Sequence, residues 1–223
     1  MAAVNQAQTR RILEQLLKER ILVLDGAMGT MVHALNFTEQ DFRGLPFAGH
    51  SKDLKNCIDI LSITQPDAIE AIHRQYLEAG SDIIETNTFG AGTSVALADF
   101  GLQSRVRELN LAAARVARRA VDRFNECTPD KPRFVAGSIG PTNKQLAIAG
   151  NVSDPGHRDV TFDQMVNAYY EQAAALLEGG VDLLLVETAF DTLVLKSALF
   201  AIDKLFADLG VRIPVMASFT VFQ

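Results

Sequence analysis

The chain has 223 residues, of which 48% are hydrophobic and 22% charged, with a formal net charge of −6. That is the balance of a packed globular protein with room for one large domain or two small ones. Acids and bases are interspersed, so no basic stripe exists to track a nucleic acid or an anionic membrane surface, and no apolar run approaches the ~20 residues that span a bilayer. The first twenty residues are polar, then amphipathic and charged, without the apolar core of a secretion signal; the expected location is the cytoplasm. Cys57 and Cys127 stand far apart, with no Cys or His neighbour at metal-ligand spacing, and read as free thiols in a reducing compartment.

Taken in chain order, the first apolar run is Ile21 to Asp25 (ILVLD), read as a first strand ending at Asp25-Gly26. The connection from Gly26 to Ser62 is long for a strand-to-helix link, and its mixture of Phe and charge predicts an ordered lid. Pro66 to Ala79 places Ile69, Ile72, His73 and Tyr76 on one helical face, with Gly80 as the stop. A second strand over Asp82 to Asn87 follows, then a run from Leu97 to Phe124 that includes a long Ala/Arg-rich stretch of good helix propensity, and a third strand over Arg133 to Ser138. Thr161 with Gln164 forms a capping-box pattern opening a helix that ends at Gly179-Gly180. The fourth strand is Asp182 to Glu187. Asp191 caps a helix carrying Val194, Ala198, Ile202, Leu205 and Leu209 before Gly210, and Ile213 to Val221 is a fifth strand.

These runs are short and rich in Ile, Val and Leu, which suits parallel strands buried on both faces. The string Glu78-Ala79-Gly80-Ser81-Asp82 is echoed 100 residues later by Glu178-Gly179-Gly180-Val181-Asp182, as expected of a repeating βα architecture. Right-handed crossovers of parallel strands build either an open doubly wound sheet or a closed barrel. The absence of GxGxxG after the first strand weakens the dinucleotide-binding form of the former. The expected fold is α/β, a (βα)8 TIM-type barrel. A full barrel has eight strands over ~250 residues, and five are found here. Residues 1–223 are therefore expected to be the N-terminal part of one barrel domain, incomplete at the C-terminus, with the edges of its first and fifth strands exposed.

In such barrels the site lies at the C-terminal ends of the strands. Those ends carry Asp25-Gly26, Thr86-Asn87-Thr88, Ser138 and Glu187-Thr188, a constellation with two carboxylates. Each also has a plain structural role: Asp-Gly is a common turn, with Gly supplying positive φ, and Asn87 and Ser138 can simply start loops. The glycines and hydroxyls of Gly137 to Thr142 form either an anion-cradling run of backbone N–H groups or an ordinary turn.

The segments ILVLDGAMGTMV, TEQDFRG, IHRQYLEAGSDIIETNTFGA, VAGSIGPTNK and LVETAFDTLVLKSALFAI together resemble the homocysteine-binding region of the cobalamin-dependent methionine synthases, over essentially the whole chain from about Arg11. DGAMGT and ETNTF are shared more widely among homocysteine S-methyltransferases. The DFRG loop and the stretch from PTNK to DPGHRDVTFD are closer to the cobalamin-dependent members. The resemblance implies methyl transfer from methylcobalamin, ultimately from 5-methyltetrahydrofolate, to the sulfur of homocysteine, giving methionine. A thiol of pKa ~8.5 is mostly protonated at neutral pH and needs activation. In the family, zinc on three cysteine thiolates supplies it, with the fourth position left to the substrate sulfur. The resemblance further implies that Asp25, Gly26 and Glu187 hold the amino-acid end of homocysteine, with Thr86, Asn87 and Ser138 completing the candidate set. The zinc cysteines of the family follow its sixth and eighth strands, and neither Cys57 nor Cys127 matches them. No metal ligand and no catalytic residue is therefore assigned to this chain, which is expected to be inactive alone. In a complete protein, further modules for methyltetrahydrofolate and cobalamin are implied. Two alternatives are a stand-alone homocysteine S-methyltransferase using betaine or S-methylmethionine, and a non-catalytic binding protein.

Overall fold

A computed structural model describes residues 2–147 and 156–221, with side chains from residue 8 onward; Asp154 and Pro155 of the DPGHRDVTFD segment lie outside the described residues. Helix α1 (Ala2–Glu19) is followed by the short helices α2 (Met28–Ala34), α3 (Glu39–Arg43) and α4 (Leu61–Thr64), then by α5 (Pro66–Ala79). From there strands and helices alternate: β1 (Ile83–Glu85), α6 (Ser94–Leu97), α7 (Val106–Cys127), β2 (Phe134–Ile139), α8 (Phe162–Glu178), β3 (Leu183–Ala189), α9 (Thr192–Leu209) and β4 (Val215–Phe219). The four strands form one sheet in the order β1-β2-β3-β4, parallel at every pairing.

Alternation along the strands divides the sheet into two faces. Ile84, Val135, Ile139, Leu184 and Val186 join the main core with α7, α8 and α9. Ile83, Phe134, Ala136, Leu183 and Leu185 point to the opposite face, where Leu13 of α1 joins them, with Ile12 and Leu16 alongside. A sheet apolar on both sides reads as the near-continuous Ile/Val/Leu runs of the sequence.

The expected first strand is reduced to a single bridge. Val23 O accepts from Asp82 N and Ile83 N, at 2.8 and 3.1 Å, and Asp25 N donates to Ile83 O at 3.0 Å, while Leu24 pairs with Ile83 alone. The run is thus aligned beside β1 but lacks the continuous ladder of a strand, and Ile21, Val23 and Leu24 are exposed. At the other end of the sheet Val215 and Phe219 of β4 are exposed as well. Within the helical run from Leu97 to Phe124, Gly101 at φ +72 ends a first turn, and the Ala/Arg-rich stretch forms α7 from Val106. The connection after Gly26 is ordered, as expected, but it builds a side layer. Val32, Phe42, Phe47, Leu54, Ile60 and Leu61 pack with Ile69 and Ile72 of α5 and Leu109 of α7.

The repeated Asp does the same work twice. Asp82 accepts from Val23 N at 2.9 Å and binds Arg20 with both carboxylate oxygens. Asp182 accepts from Val135 N at 2.8 Å and from Arg118 Nη1 at 2.6 Å. In both cases the side chain caps the start of the preceding extended segment, setting the register of a parallel neighbour at its N-terminal end.

His73 of α5 is fully buried, and neither ring nitrogen has a hydrogen-bond partner. Burial lowers its pKa to about 4. With the folded pKa below the unfolded value, the unfolded chain takes up the proton first, so stability falls as pH drops from about 6.5 toward 4. Comparing urea unfolding at pH 7.5 and pH 5, wild type is expected to lose roughly 2 kcal/mol more than His73→Leu. An identical pH dependence in the two proteins would refute this account of His73.

Candidate functional site

The alternation that directs Ile83, Ala136 and Leu185 to the α1 face directs Glu85, Ser138 and Glu187 there too, at the C-terminal ends of β1, β2 and β3. Asp25 joins them through the extended segment beside β1: its Oδ1 accepts from Glu85 N at 3.0 Å. The Ser138 hydroxyl donates to Glu187 Oε1, and the Glu85 carboxyl lies within reach of the Glu187 charge. Three carboxylates and one hydroxyl thus meet at one sheet edge.

Glu187 is aimed by an irregular backbone. The pairing of β3 with β4 shifts register between Val186 and Ala189, and Thr188 sits in the left-handed region at φ +55. A β-branched residue there is an outlier, and such outliers and bulges mark places where a side chain is re-aimed.

Crowding sets the protonation of the group. Burial raises the Asp25 carboxyl to about 7, and the charge of Glu187 adds to the rise. Glu85 is pushed up to about 8, first by burial and then by Glu187 and Asp25. At neutral pH the cluster therefore retains protons that ordinary carboxylates would have lost.

The other candidates are placed differently. Thr86 is buried and occupied structurally: its Oγ1 accepts from Ser138 N at 3.0 Å and shares a 2.7 Å hydrogen bond with Thr88. Asn87 donates from Nδ2 to Ile58 O and Ser62 Oγ, anchoring the side layer to the strand end. Gly26 follows Asp25, but the positive φ of that turn falls on Ala27, at +45, which opens α2. In the segment Gly137 to Thr142, Gly140 is required by close approach. A Cβ there would lie 2.2 Å from Phe89 O, and Gly140 O accepts from Tyr169. The carboxylate captured nearby is Asp191, which caps α9 and also accepts from Leu146 N and Ala147 N.

Glu85 was not among the residues singled out from sequence. Its signal was available: in DIIETN it is a charge within a buried strand, two residues from Ile83 and so on the same face. Asp59 is a second buried carboxylate without a sequence signal. Burial lifts it to about 6, and it accepts from Ala91 N at 2.9 Å, pinning the loop after β1.

The sequence profile of the homocysteine S-methyltransferase family matches residues 22–223. The chain belongs to the homocysteine S-methyltransferase family. Among solved structures it is similar to the homocysteine methyltransferase MmuM from Escherichia coli. The metallated form matches with TM-score 0.68 at 24% identity, over 94% of this chain and 66% of that one. The oxidized form matches with TM-score 0.68 at 25% identity, over 94% and 65%. The chain thus spans about two thirds of the length of these relatives.

One of these relatives is a metallated enzyme, and the zinc that the resemblance implies needs a cluster of side-chain ligands. Among the described residues no group of three or more His, Cys, Asp or Glu side chains could hold a metal ion. Cys57 is buried, which drives its thiol pKa far upward, and Cys127 is exposed at the end of α7. These residues do not fit a zinc site. No helix among the described residues is long and apolar enough to cross a membrane.

A carboxyl whose folded pKa is raised contributes stability below its unfolded value and loses it as pH rises through the folded value. Glu85→Gln removes that loss. The variant is expected to be roughly 1–3 kcal/mol more stable than wild type at pH 9, and to differ little at pH 5. Denaturant melts at both pH values check this, and a variant less stable at pH 9 would contradict it.

Proposed function

We propose that this chain is the part of a methionine-forming homocysteine S-methyltransferase that holds the amino-acid end of homocysteine, and that its sheet forms part of a (βα)8 barrel. One observation carries the reading: Asp25 and Glu187, the positions the family resemblance assigns to substrate, meet with Glu85 at a single sheet edge. An ammonium group is the natural counter-ion for such a cluster, because it neutralises carboxylates that otherwise repel. It also offers three N–H donors to the oxygens around it. Gly26 lies next to Asp25 and brings an unhindered backbone to the substrate carboxylate; a Cβ at this position would meet nothing within 4 Å.

Asp25, Glu85 and Glu187 fix the ammonium, and the thiol is thereby held at a set distance from them. Methyl transfer forms the sulfur–carbon bond of methionine, breaks the bond between the methyl group and its donor, and releases the thiol proton. Zinc, when bound in members of the family, activates the thiol. The part proposed for this chain is confined to holding and orienting the substrate. The DFRG motif at Asp41–Gly44 and the Pro141–Lys144 segment support the cobalamin-dependent branch. On that reading, methylcobalamin is the donor and partner modules carry cobalamin and methyltetrahydrofolate.

The test is binding of homocysteine beside 4-mercaptobutanoate, which lacks only the amino group. Glu187→Ala is expected to weaken homocysteine about 10- to 100-fold, the size of a lost charge-assisted hydrogen bond, and to leave 4-mercaptobutanoate unaffected. Equal affinity of wild type and variant for homocysteine would defeat the assignment.

A further inference from the structure

We infer that Gln172, in the middle of α8, is a positioning residue for the homocysteine site, acting through Ser138 as an amide clasp between the ends of β1 and β2. The inference rests on the substrate reading above and extends it to a residue outside the carboxylate cluster.

Gln172 is 1% exposed, in a helix whose buried neighbours are Met165, Tyr169, Ala173 and Leu176. An apolar residue would fill such a position without desolvating an amide. Its Nε2 instead reaches Thr88 O at 3.2 Å and Ser138 O at 3.3 Å, the carbonyls just past β1 and near the end of β2. No protein atom bonds its Oε1, so these two donor contacts are the amide's polar connections to the protein.

The surroundings are shaped to admit it. A Cβ at Gly92 would lie 1.9 Å from Gln172 Nε2 and 2.6 Å from Thr88 O, so any larger residue would collide with the clasp. Gly92 is itself held by Asn110 of α7, fully buried, whose Nδ2 donates to Gly92 O at 2.7 Å. Two helices thereby brace one strand end.

What the clasp holds is Ser138. Its N–H donates to Thr86 Oγ1, its carbonyl accepts from Thr88 Oγ1 at 2.7 Å and from Gln172, and its hydroxyl donates to Glu187. With the backbone fixed on both sides, the rotamer adopted carries the hydroxyl to the carboxylate that the proposed function places on the ammonium. Removing the Gln172 donor takes away one of the holds on the Ser138 carbonyl, and the hydroxyl's hold on Glu187 loosens with it.

The test is a double-mutant cycle in the full chain with Gln172→Met, Ser138→Ala and the pair, read by calorimetric affinity for homocysteine. Gln172→Met is expected to cost about three- to tenfold, the size of one lost hydrogen bond. In the Ser138→Ala background it should add less than twofold, because the hydroxyl through which it acts is gone. Unchanged affinity in Gln172→Met, or equal losses in both backgrounds, overturns the inference, since a purely structural amide would act independently of Ser138. Should Gln172→Met fail to fold, Gln172→Asn, which keeps the amide but shortens its reach, takes its place in the cycle. A second arm needs no ligand: amide hydrogen exchange at Ile139, whose N–H shares a peptide group with the Ser138 carbonyl that Gln172 holds, is expected to accelerate in the variant while α9 amides stay unchanged. Unchanged exchange at Ile139 overturns the clasp. If wild type binds no homocysteine, the substrate reading fails, and the exchange arm still decides whether Gln172 holds Ser138.

Discussion

Like charges at hydrogen-bonding separation repel by about 4 kcal/mol even at an effective dielectric of 20. Asp25, Glu85 and Glu187 are buried close enough together that each feels the charge of the others. Asp25 is tied to the backbone N–H of Glu85, and Glu187 is tied to the Ser138 hydroxyl and pointed by the bulge at Thr188. Keeping protons relieves the repulsion, the direction in which burial and mutual charge push Asp25 and Glu85. A cationic ligand relieves it better. The chemistry proposed for this chain follows from that competition between proton and ammonium.

The rest of the fold reads as the support of this arrangement. Parallel pairing delivers every strand's C-terminal end to one edge, and strict alternation puts Glu85, Ser138 and Glu187 above one apolar face. At the opposite edge Asp82 and Asp182, each with an arginine, fix where the neighbouring segments begin. A slip of one residue would turn an entire set of side chains to the wrong face. Register control at one end of the sheet is therefore what aligns the carboxylates at the other.

Much of this was legible in the sequence, for reasons that differ by element. The helices at Pro66, Thr161 and Asp191 carry their own caps and stops, so local chemistry declared them. The buried strands declared themselves by unbroken apolarity. The first run did not become a full strand, because pairing depends on neighbours rather than on its own composition. For the Gly26–Ser62 connection the order was legible but its partners were not: Phe42, Phe47 and Leu54 are apolar enough to make a core with α5 and α7, and sequence does not say against what they pack. Within the site, Asp25 and Glu187 stood out as charges ending apolar runs. Glu85 was hidden because Thr86 and Asn87 looked like the strand end, whereas their side chains are consumed by Thr88, Ser138, Ile58 and Ser62.

Calorimetry of homocysteine binding at pH 7.5, in buffers of differing ionisation enthalpy, tests the competition between proton and ammonium most directly. Wild type should release more protons on binding than Glu85→Gln, because the ammonium displaces a proton held among the three carboxylates; taking the difference cancels any contribution from the thiol. Equal proton release by the two proteins, or proton uptake by wild type relative to the variant, would contradict the account.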